Sequence, residues 1–187
     1  MLMDMDKKKI ISLVSFFTTQ TKFCGRTKLA KLLFYCDWKH LKETGRTITG
    51  LAYLAFPYGP LPENLNTALK DSKSEFGKFI RYREGDEKAV QPIRVTESFD
   101  DKLFTPFELR ILKEAAFIFE EATSDQMVRI SHGIDQPWTI TKEKKGLYQP
   151  IDEQMAFSEK DAKISLEDYL ERKEEDQETR RMMHGSR

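Results

Sequence analysis

The sequence predicts a mainly helical α+β fold, a single domain that carries a small antiparallel β-sheet or hairpin. Two long segments, residues 27–43 and 106–122, place apolar side chains at the i, i+3, i+4 and i+7 spacing of an amphipathic helix. Two shorter segments, residues 78–83 and 89–96, contain residue types that favour strands and flank the turn-like sequence EGDEK. A chain of 187 residues can bury about 70% of its unfolded surface, which suffices for one stable core.

The first two helices are predicted from capping residues and apolar spacing. Asp6 is a candidate N-cap for a helix over residues 7–18. The central helix, residues 27–43, is apolar around most of its circumference, so we expect most of it to be buried. Gly45 follows it at the position where a left-handed C-cap residue is common.

A strand and a turn are predicted after the central helix. Residues 47–56 have a strand-like composition without helical spacing, which predicts a short strand. The sequence PYGPLP at residues 57–62 contains three prolines and a glycine, so we expect no regular structure there. Pro62 suits the first turn of a helix that continues to about residue 71. Pro92 places the later strand, residues 89–96, at a sheet edge or a bulge.

The clearest local pattern in the second half of the chain is a capping box. Thr105 and Glu108 have the spacing in which each side chain bonds the other residue's backbone N–H. Pro106 occupies the first helical position, where its missing N–H costs nothing. Together these residues predict the start of the helix over residues 106–122.

Two further helices are predicted from similar patterns. Asp125 is a candidate N-cap for a short helix that ends before Gly133. Residues 134–157 are predicted to be irregular or weakly extended. Ser165 and Asp168 form a second capping-box pattern, and the helix that they open loses its apolar stripe after a few turns. That charged end is predicted to be either a solvated helix or disordered.

Charge is balanced over the whole chain but uneven along it. The chain has 31 Lys and Arg residues and 31 Asp and Glu residues, which argues against a dedicated nucleic-acid binder. Residues 1–50 hold ten basic against four acidic residues, whereas residues 151–187 hold seven against eleven. The simplest interpretation is solvated helix faces, and the alternative is a C-terminal tail that contacts its own basic end or a partner.

The cysteine content and the hydropathy of the chain indicate which cofactors and which cellular compartment to expect. Cys24 and Cys36 form no CxxC pair, and with three scattered histidines they predict no metal site and no cofactor. The charged start MLMDMDKKK and the lack of a long apolar run predict neither a signal peptide nor a membrane span. We therefore expect a cytoplasmic protein with free thiols and no membrane partner.

Two blocks of sequence carry a resemblance to a known family. The first block reads KLAKLLFYCDWKHL at residues 28–41 and continues through GRTITGLAY at residues 45–53 to the turn YGP at residues 58–60. The second block has the form SH-x(4)-PW at residues 131–138. With both blocks in the expected order, the chain resembles the Panacea domain, the SocA-like, phage-associated antitoxin family, over about residues 8–155. The charged extension after Ser158 is not required by that domain.

The resemblance implies the function of an antitoxin. Family members are encoded beside a toxin gene, bind the protein toxin and hold it inactive, and one branch resembles an adaptor that delivers its toxin to a protease. For this chain the resemblance implies a Panacea-like antitoxin domain at residues 1–157 and a charged C-terminal helix or tail at residues 158–187. It also implies a cognate protein toxin as partner, with a cytoplasmic protease as a second one. The family pairs with toxins of unrelated folds, so the identity of the toxin stays open.

Seven residues are predicted to contact the partner because packing alone does not require their polar or aromatic side chains. Lys28, Lys31 and Lys39 lie along one strip of the central helix. This strip faces either an acidic partner or a nucleic acid, or it is simply a solvated edge of the helix. The other four surround the turn and the second sequence block, and they are Tyr58, His132, Asp135 and Trp138.

Each of these four residues also has a structural interpretation. His132 is predicted at a helix C-terminus, where a protonated ring interacts favourably with the helix dipole and Asp135 can hold it. Trp138 is either a core aromatic or, where exposed, a binding hot spot. Tyr58 has the same two interpretations, in a turn that Gly59 and the prolines shape.

Two other classes of function have weaker support. No GxSxG, HExxH, P-loop or GxGxxG motif is present, and the enzymatic hypothesis that remains pairs Cys24 as nucleophile with His132 as base. Two helices around Gly25 resemble a helix-turn-helix in outline, which makes a DNA-binding autoregulator of the operon the alternative function. Because these catalytic motifs are missing, we expect no enzyme. The helix over residues 27–43 is too apolar to read base edges, so we also expect no direct DNA contact. Whether the protein forms a homo-oligomer stays open.

Overall fold

A computed structural model describes residues 4–71, 73–81, 94–132 and 136–184 and has the predicted mainly helical α+β architecture. Its α-helices are α1 Asp4–Gln20, α2 Arg26–Thr44, α3 Glu63–Lys70, α4 Glu75–Phe79, α5 Pro106–Ile118, α6 Ser124–Ser131, α7 Pro137–Lys145 and α8 Leu166–His184. Its strands form two antiparallel pairs, β1 Leu54–Phe56 with β2 Gly59–Leu61 and β3 Ile80–Arg81 with β4 Arg94–Val95. Short 3-10 helices span Asp101–Leu103 and Glu153–Ser158.

Helix α2 lies at the centre of the fold. It packs against α1, α5, α6 and strand β2. Its side chains Leu29, Leu32 and Leu33 are almost completely buried, and burial of each stabilises the fold by about 1.5–3 kcal/mol. Most of the central helix is therefore buried, as predicted.

The boundaries of the first two helices match the sequence patterns at most but not all positions. Gly45 caps the C-terminus of α2 in the left-handed conformation, with φ 76° and ψ 9°, and its N–H bonds the Leu41 carbonyl oxygen, as predicted. The prediction that Asp6 is an N-cap is wrong, because α1 already includes Asp4. Acidic residues are also favourable inside the first helical turn, so the sequence pattern fits both positions.

The prediction of irregular structure at residues 57–62 is wrong. Strand β2 pairs with β1 across a two-residue turn, with Ala55 opposite Pro60 and Phe56 opposite Gly59. Ala55 directs its own N–H and carbonyl to the other side, toward the backbone of Gln149 and Tyr148. The ladder therefore needs no N–H from Pro60, which lies on the outer strand, where proline is tolerated.

The first of the two strands predicted at residues 78–83 and 89–96 begins at Ile80, two residues later than expected. Ser74 caps a helical turn by accepting a hydrogen bond from the Gly77 N–H, so Lys78 belongs to α4 rather than to a strand. In the described part of this stretch, β3 pairs with β4, with Ile80 opposite Val95 and Arg81 opposite Arg94. The predicted EGDEK turn and Pro92 lie outside the described residues. A smaller correction concerns Pro62, which is the N-cap of α3 and not a residue of its first turn.

Helix α5 begins with the predicted capping box. The Glu108 N–H donates to Thr105 Oγ1 at 3.2 Å, and the Thr105 N–H donates to Glu108 Oε2 at 2.7 Å. The helix ends at Ile118, four residues earlier than predicted.

The next two helices correct the sequence analysis. Thr123 and not Asp125 is the N-cap of α6, because Thr123 forms its own capping box with Gln126. Helix α7 lies within the segment predicted to be irregular. Pro137 opens this nine-residue helix, whose mostly polar sequence lacks an apolar stripe long enough to predict it.

The charged C-terminal segment packs on the end of α2. Its predicted capping box is confirmed, since the Asp168 N–H donates to Ser165 Oγ at 3.0 Å. Tyr169 is 2% exposed and forms a small apolar cluster with Leu41 and Ala156. Residues on both sides of the predicted boundary at 157/158 thus share one cluster.

The same segment forms ion pairs with the basic end of α2. The Lys42 ammonium lies 2.9 Å from Glu159 and 2.7 Å from Asp161, and Arg46 pairs with both carboxylate oxygens of Asp176. The C-terminal tail therefore contacts the basic N-terminal part of its own chain. Of the two interpretations of the uneven charge, this is the alternative to solvated helix faces. None of the helices in the described ranges combines the length and apolarity that a membrane span requires.

Candidate functional site

The β1–β2 hairpin is tied to the helical core on both sides of its turn. The Lys31 ammonium donates to the Pro60 carbonyl oxygen at 2.8 Å, and Trp138 Nε1 donates to the Phe56 carbonyl oxygen at 2.8 Å. The turn between these two anchors carries Tyr58, whose side chain is 72% exposed. A well-anchored hairpin therefore presents one large aromatic side chain to solvent.

Gly59 is the residue that allows the hairpin to approach the helices closely. Its φ of 101° lies in the left-handed region that side chains disfavour. A Cβ at this position would lie 2.6 Å from Lys31 Cε and 2.6 Å from Ser131 Oγ, so the ends of these two side chains would have to shift. The backbone conformation favours glycine here, and the missing Cβ leaves room for the Lys31 side chain.

His132 and Trp138 form a stacked pair behind the hairpin. Their ring centroids are 3.7 Å apart and their planes differ by 5°. Trp138 is 3% exposed, so it is a core aromatic and not an exposed hot spot. Burial and the positive charges of Lys31 and Lys142 lower the pKa of His132, so its ring is neutral at pH 7 rather than protonated against the helix dipole. His132 does cap the C-terminus of α6, and Asp135 lies outside the described residues.

The predicted strip of lysines on α2 is not a solvated strip. Lys28 is fully buried and donates to the carbonyl oxygens of Lys22 and Glu120 at 2.6 and 3.1 Å. Lys31 is 4% exposed, and burial lowers its pKa to about 7. Lys39 remains partly exposed. The expectation of a solvent-facing strip is therefore wrong at Lys28 and Lys31, because their positions fall on faces that the hairpin and the end of α5 cover.

A cleft of about 480 Å³ opens beside the hairpin. Lys31 and Ser131, which lie against Gly59, also line this cleft, together with the aromatic side chains of Tyr35 and Trp38. Ile130 of α6 lines it as well and is 53% exposed. Lys31 and Ser131 thus connect the hairpin with the cleft, and the hairpin tip and the cleft are together called here the hairpin–cleft surface.

Asp37 is a central residue that the sequence analysis did not single out as a site. Its carboxylate accepts hydrogen bonds from the backbone N–H groups of Ile48 and Thr49 and from the hydroxyl groups of Thr49 and Tyr53. Burial raises its pKa to about 6, although these hydrogen bonds favour the charged form. Asp37 thus organises the loop that leads into β1. The sequence GRTITGLAY next to an acidic helix position is the pattern that could have indicated it.

The two hypotheses from other classes of function find little geometric support. Cys24 is completely buried, and burial raises the pKa of its thiol to about 11, which opposes activation as a nucleophile. Helix α2 is packed against α1, α5, α6 and β2, so most of its circumference is covered. Within the described part of the chain, no group of three His, Cys, Asp or Glu side chains could hold a metal ion.

Comparison with known protein families connects this geometry to a function. The family described as "Antitoxin SocA-like, Panacea domain" matches residues 29–139, more than half of the chain. The chain belongs to this family. The matched range of the Panacea domain contains Lys31, Asp37, Tyr58, Gly59 and Trp138, and it ends before the C-terminal segment that packs on α2. No curated protein and no solved structure matches the chain.

Membership in the Panacea family supports an antitoxin-type role and a protein partner such as a toxin. Most of the family-like positions that the structure describes have structural tasks: Asp37 organises a loop, Gly45 caps α2, Gly59 permits close packing and Trp138 anchors the hairpin. Tyr58 is the exception, because its exposed ring contributes little to the packing of the fold.

Proposed function

We propose that the protein neutralises a cognate protein toxin by direct contact through the hairpin–cleft surface. The observation that carries this proposal is the 72% exposure of Tyr58 on a hairpin whose flanking carbonyl groups are both held by buried side chains. An exposed tyrosine buries a large area on binding at low entropic cost and is a common interface hot spot. Because the hairpin is already fixed, little further ordering is required when a partner binds.

The cleft gives the surface enough extent for a specific interface. A stable interface buries about 800 Å² on each partner, which a single hairpin tip cannot supply. The cleft adds aromatic walls from Tyr35 and Trp38 and the half-exposed Ile130. Together with Tyr58 these side chains form an aromatic and aliphatic centre with polar residues around it, which is the usual composition of an interface.

Co-expression with the product of the neighbouring gene tests the proposal. The host should be one in which that gene alone stops growth, and the antitoxin should carry an affinity tag. We expect growth to be restored and the toxin to copurify with the tagged chain in a fixed ratio. Continued growth arrest without copurification would contradict the proposal.

The same experiment separates two other roles, protease delivery, which the family resemblance implies, and repression of the operon, which is the alternative function. Growth restored without a complex, with toxin levels that fall only when cytoplasmic proteases are active, would favour protease delivery over stable neutralisation. Growth restored with reduced toxin transcript would favour repression of the operon. In that case, binding to promoter DNA should weaken strongly as salt concentration rises.

A further inference from the structure

We infer that the cleft of the hairpin–cleft surface is a carboxylate-binding site, in which an Asp or Glu side chain of the toxin reaches the ammonium group of Lys31. The inference rests on the proposed function and names the chemistry of the contact. It follows from the position, burial and incomplete bonding of Lys31, taken with the bonding of the other lysines in the cleft.

Lys31 is the most deeply placed cation of the cleft. Its residue is 4% exposed, whereas the side chains of Lys39 and Lys42 are 26% and 14% exposed. An ammonium group has three N–H donors. Within the described ranges, Lys31 Nζ has one acceptor, the Pro60 carbonyl oxygen. The remaining donors have no protein acceptor there, and Lys31 is one of the residues that line the cleft.

The charges of the neighbouring lysines are compensated, and that of Lys31 is not. Lys39 pairs with Glu114 at 2.5 Å, and Lys42 pairs with both Glu159 and Asp161. Lys163 is exposed and solvated. Burial of an unpaired cation costs several kcal/mol, which is why burial lowers the pKa of Lys31 to about 7. A bound carboxylate would supply the missing negative charge and accept hydrogen bonds from the free N–H donors of Lys31.

The walls of the cleft favour a protein side chain over a polyanion. Its aromatic lining, Tyr35 and Trp38, suits the apolar stem of a side chain or a neighbouring apolar residue. Four lysines and three carboxylates line the cleft, and this small excess of positive charge suits one carboxylate rather than the several phosphates of a nucleic acid. A single carboxylate beside apolar groups fits this arrangement.

Phenylacetate, a carboxylate attached to one aromatic ring, is a direct probe of the free protein. We would titrate it at pH 6, where Lys31 is protonated, and follow the lysine side-chain resonances by NMR. We expect saturable shifts of the Lys31 resonances, and we expect Lys31→Met to lower the affinity by about tenfold or more, since hydrogen bonds to charged groups contribute at least that factor. Lys113→Met, at an exposed position of α5 outside the cleft, is the control and should leave the affinity within about twofold.

The neutral analogue phenylacetamide keeps the test valid if Lys31→Met does not fold. We expect wild-type protein to bind the amide at least about tenfold more weakly than the carboxylate. Equal binding of the two, no binding of either, or an unchanged affinity in Lys31→Met would overturn the inference. Inorganic phosphate that binds at Lys31 more tightly than phenylacetate would also contradict it and favour a phosphate-bearing partner. These measurements require no toxin, so they fail independently of the proposed function.

Discussion

The indole N–H of Trp138 donates a hydrogen bond to the Phe56 carbonyl oxygen at 2.8 Å, between residues 82 positions apart in the sequence. This bond joins the two blocks that carry the family resemblance, because Phe56 precedes the YGP turn and Trp138 ends the SH-x(4)-PW pattern. The two blocks are distant in sequence but form one structural unit. Their joint task is to hold the hairpin that presents Tyr58.

Replacement of Trp138 by Phe should destabilise the protein by about 1–3 kcal/mol. The substitution removes the hydrogen bond that the partly buried Phe56 carbonyl group accepts from the indole, and it leaves part of the volume of a 3% exposed side chain unfilled. Trp38→Phe is the matched control, because Trp38 Nε1 also donates at 2.8 Å, but to the partly exposed Glu159 carboxylate, which water can solvate. Urea denaturation of both variants measures the difference. Equal free energies of unfolding for the two would contradict the anchoring role of Trp138.

Gly59→Ala should destabilise the protein more than Gly50→Ala does. Both glycines have positive φ, at 101° and 67°, so both substitutions incur a conformational cost of about 1 kcal/mol. Only at Gly59 would the new Cβ also force the ends of the Lys31 and Ser131 side chains to shift, whereas nothing lies within 4 Å at Gly50. We expect an additional cost of about 1–3 kcal/mol at Gly59, measured by urea denaturation. A smaller effect at Gly59 than at Gly50 would show that the hairpin can move away from α2.

The stability of the free protein should rise between pH 7 and pH 8.5 because of Lys31. Its pKa is about 7 in the folded protein and about 10.4 in an unfolded chain, so the unfolded state binds more protons in this window. Stability therefore increases with pH, by about 1–2 kcal/mol from this group. Denaturation of wild type and Lys31→Met at both pH values isolates the contribution as a difference between the two proteins. A wild-type rise no larger than that of Lys31→Met would contradict a buried, uncompensated Lys31.

The helices with strong apolar spacing were predictable from the sequence, and so were the C-terminus of α2 and the N-terminus of α5. Gly45 and the Thr105–Glu108 box are local features, since the residues that determine them lie within one helical turn of each other. Strand β2 was not predictable in this way. Pro60 is compatible with a strand only because Ala55 bonds to a segment that lies about 90 residues further along the chain.

The candidate site was only partly predictable for a similar reason. Tyr58, Trp138 and His132 were identified as members of one region, and the structure brings them together around the hairpin. The burial of Lys31 depends on a hairpin that packs over it, which helical periodicity on α2 cannot reveal. The sequence also cannot tell whether an aromatic residue at a turn lies in the core or on the surface, because tertiary contacts decide its exposure.

Tyr169→Ala should destabilise the protein by about 3–5 kcal/mol, the usual cost of removing a buried aromatic side chain. Tyr169 is 2% exposed, and its ring stacks on Phe157 with centroids 4.5 Å apart. Tyr58→Ala is the matched control, because the same substitution at a 72% exposed position should change stability by about 0.5 kcal/mol or less. Thermal or chemical unfolding provides the comparison. An effect below about 1 kcal/mol at Tyr169 would mean that the C-terminal segment is not part of the folded unit.

The most direct test of the account is the affinity of the purified toxin for Tyr58→Ala, measured by calorimetry beside wild type and Phe117→Ala. Phe117 is 83% exposed at the end of α5 and is the matched control for loss of an exposed aromatic side chain elsewhere. We predict that Tyr58→Ala lowers the affinity at least about tenfold with unchanged stability, as expected of a hot spot, and that Phe117→Ala leaves it within about twofold. Wild-type affinity in Tyr58→Ala would contradict the claim that the anchored hairpin presents the toxin-binding surface.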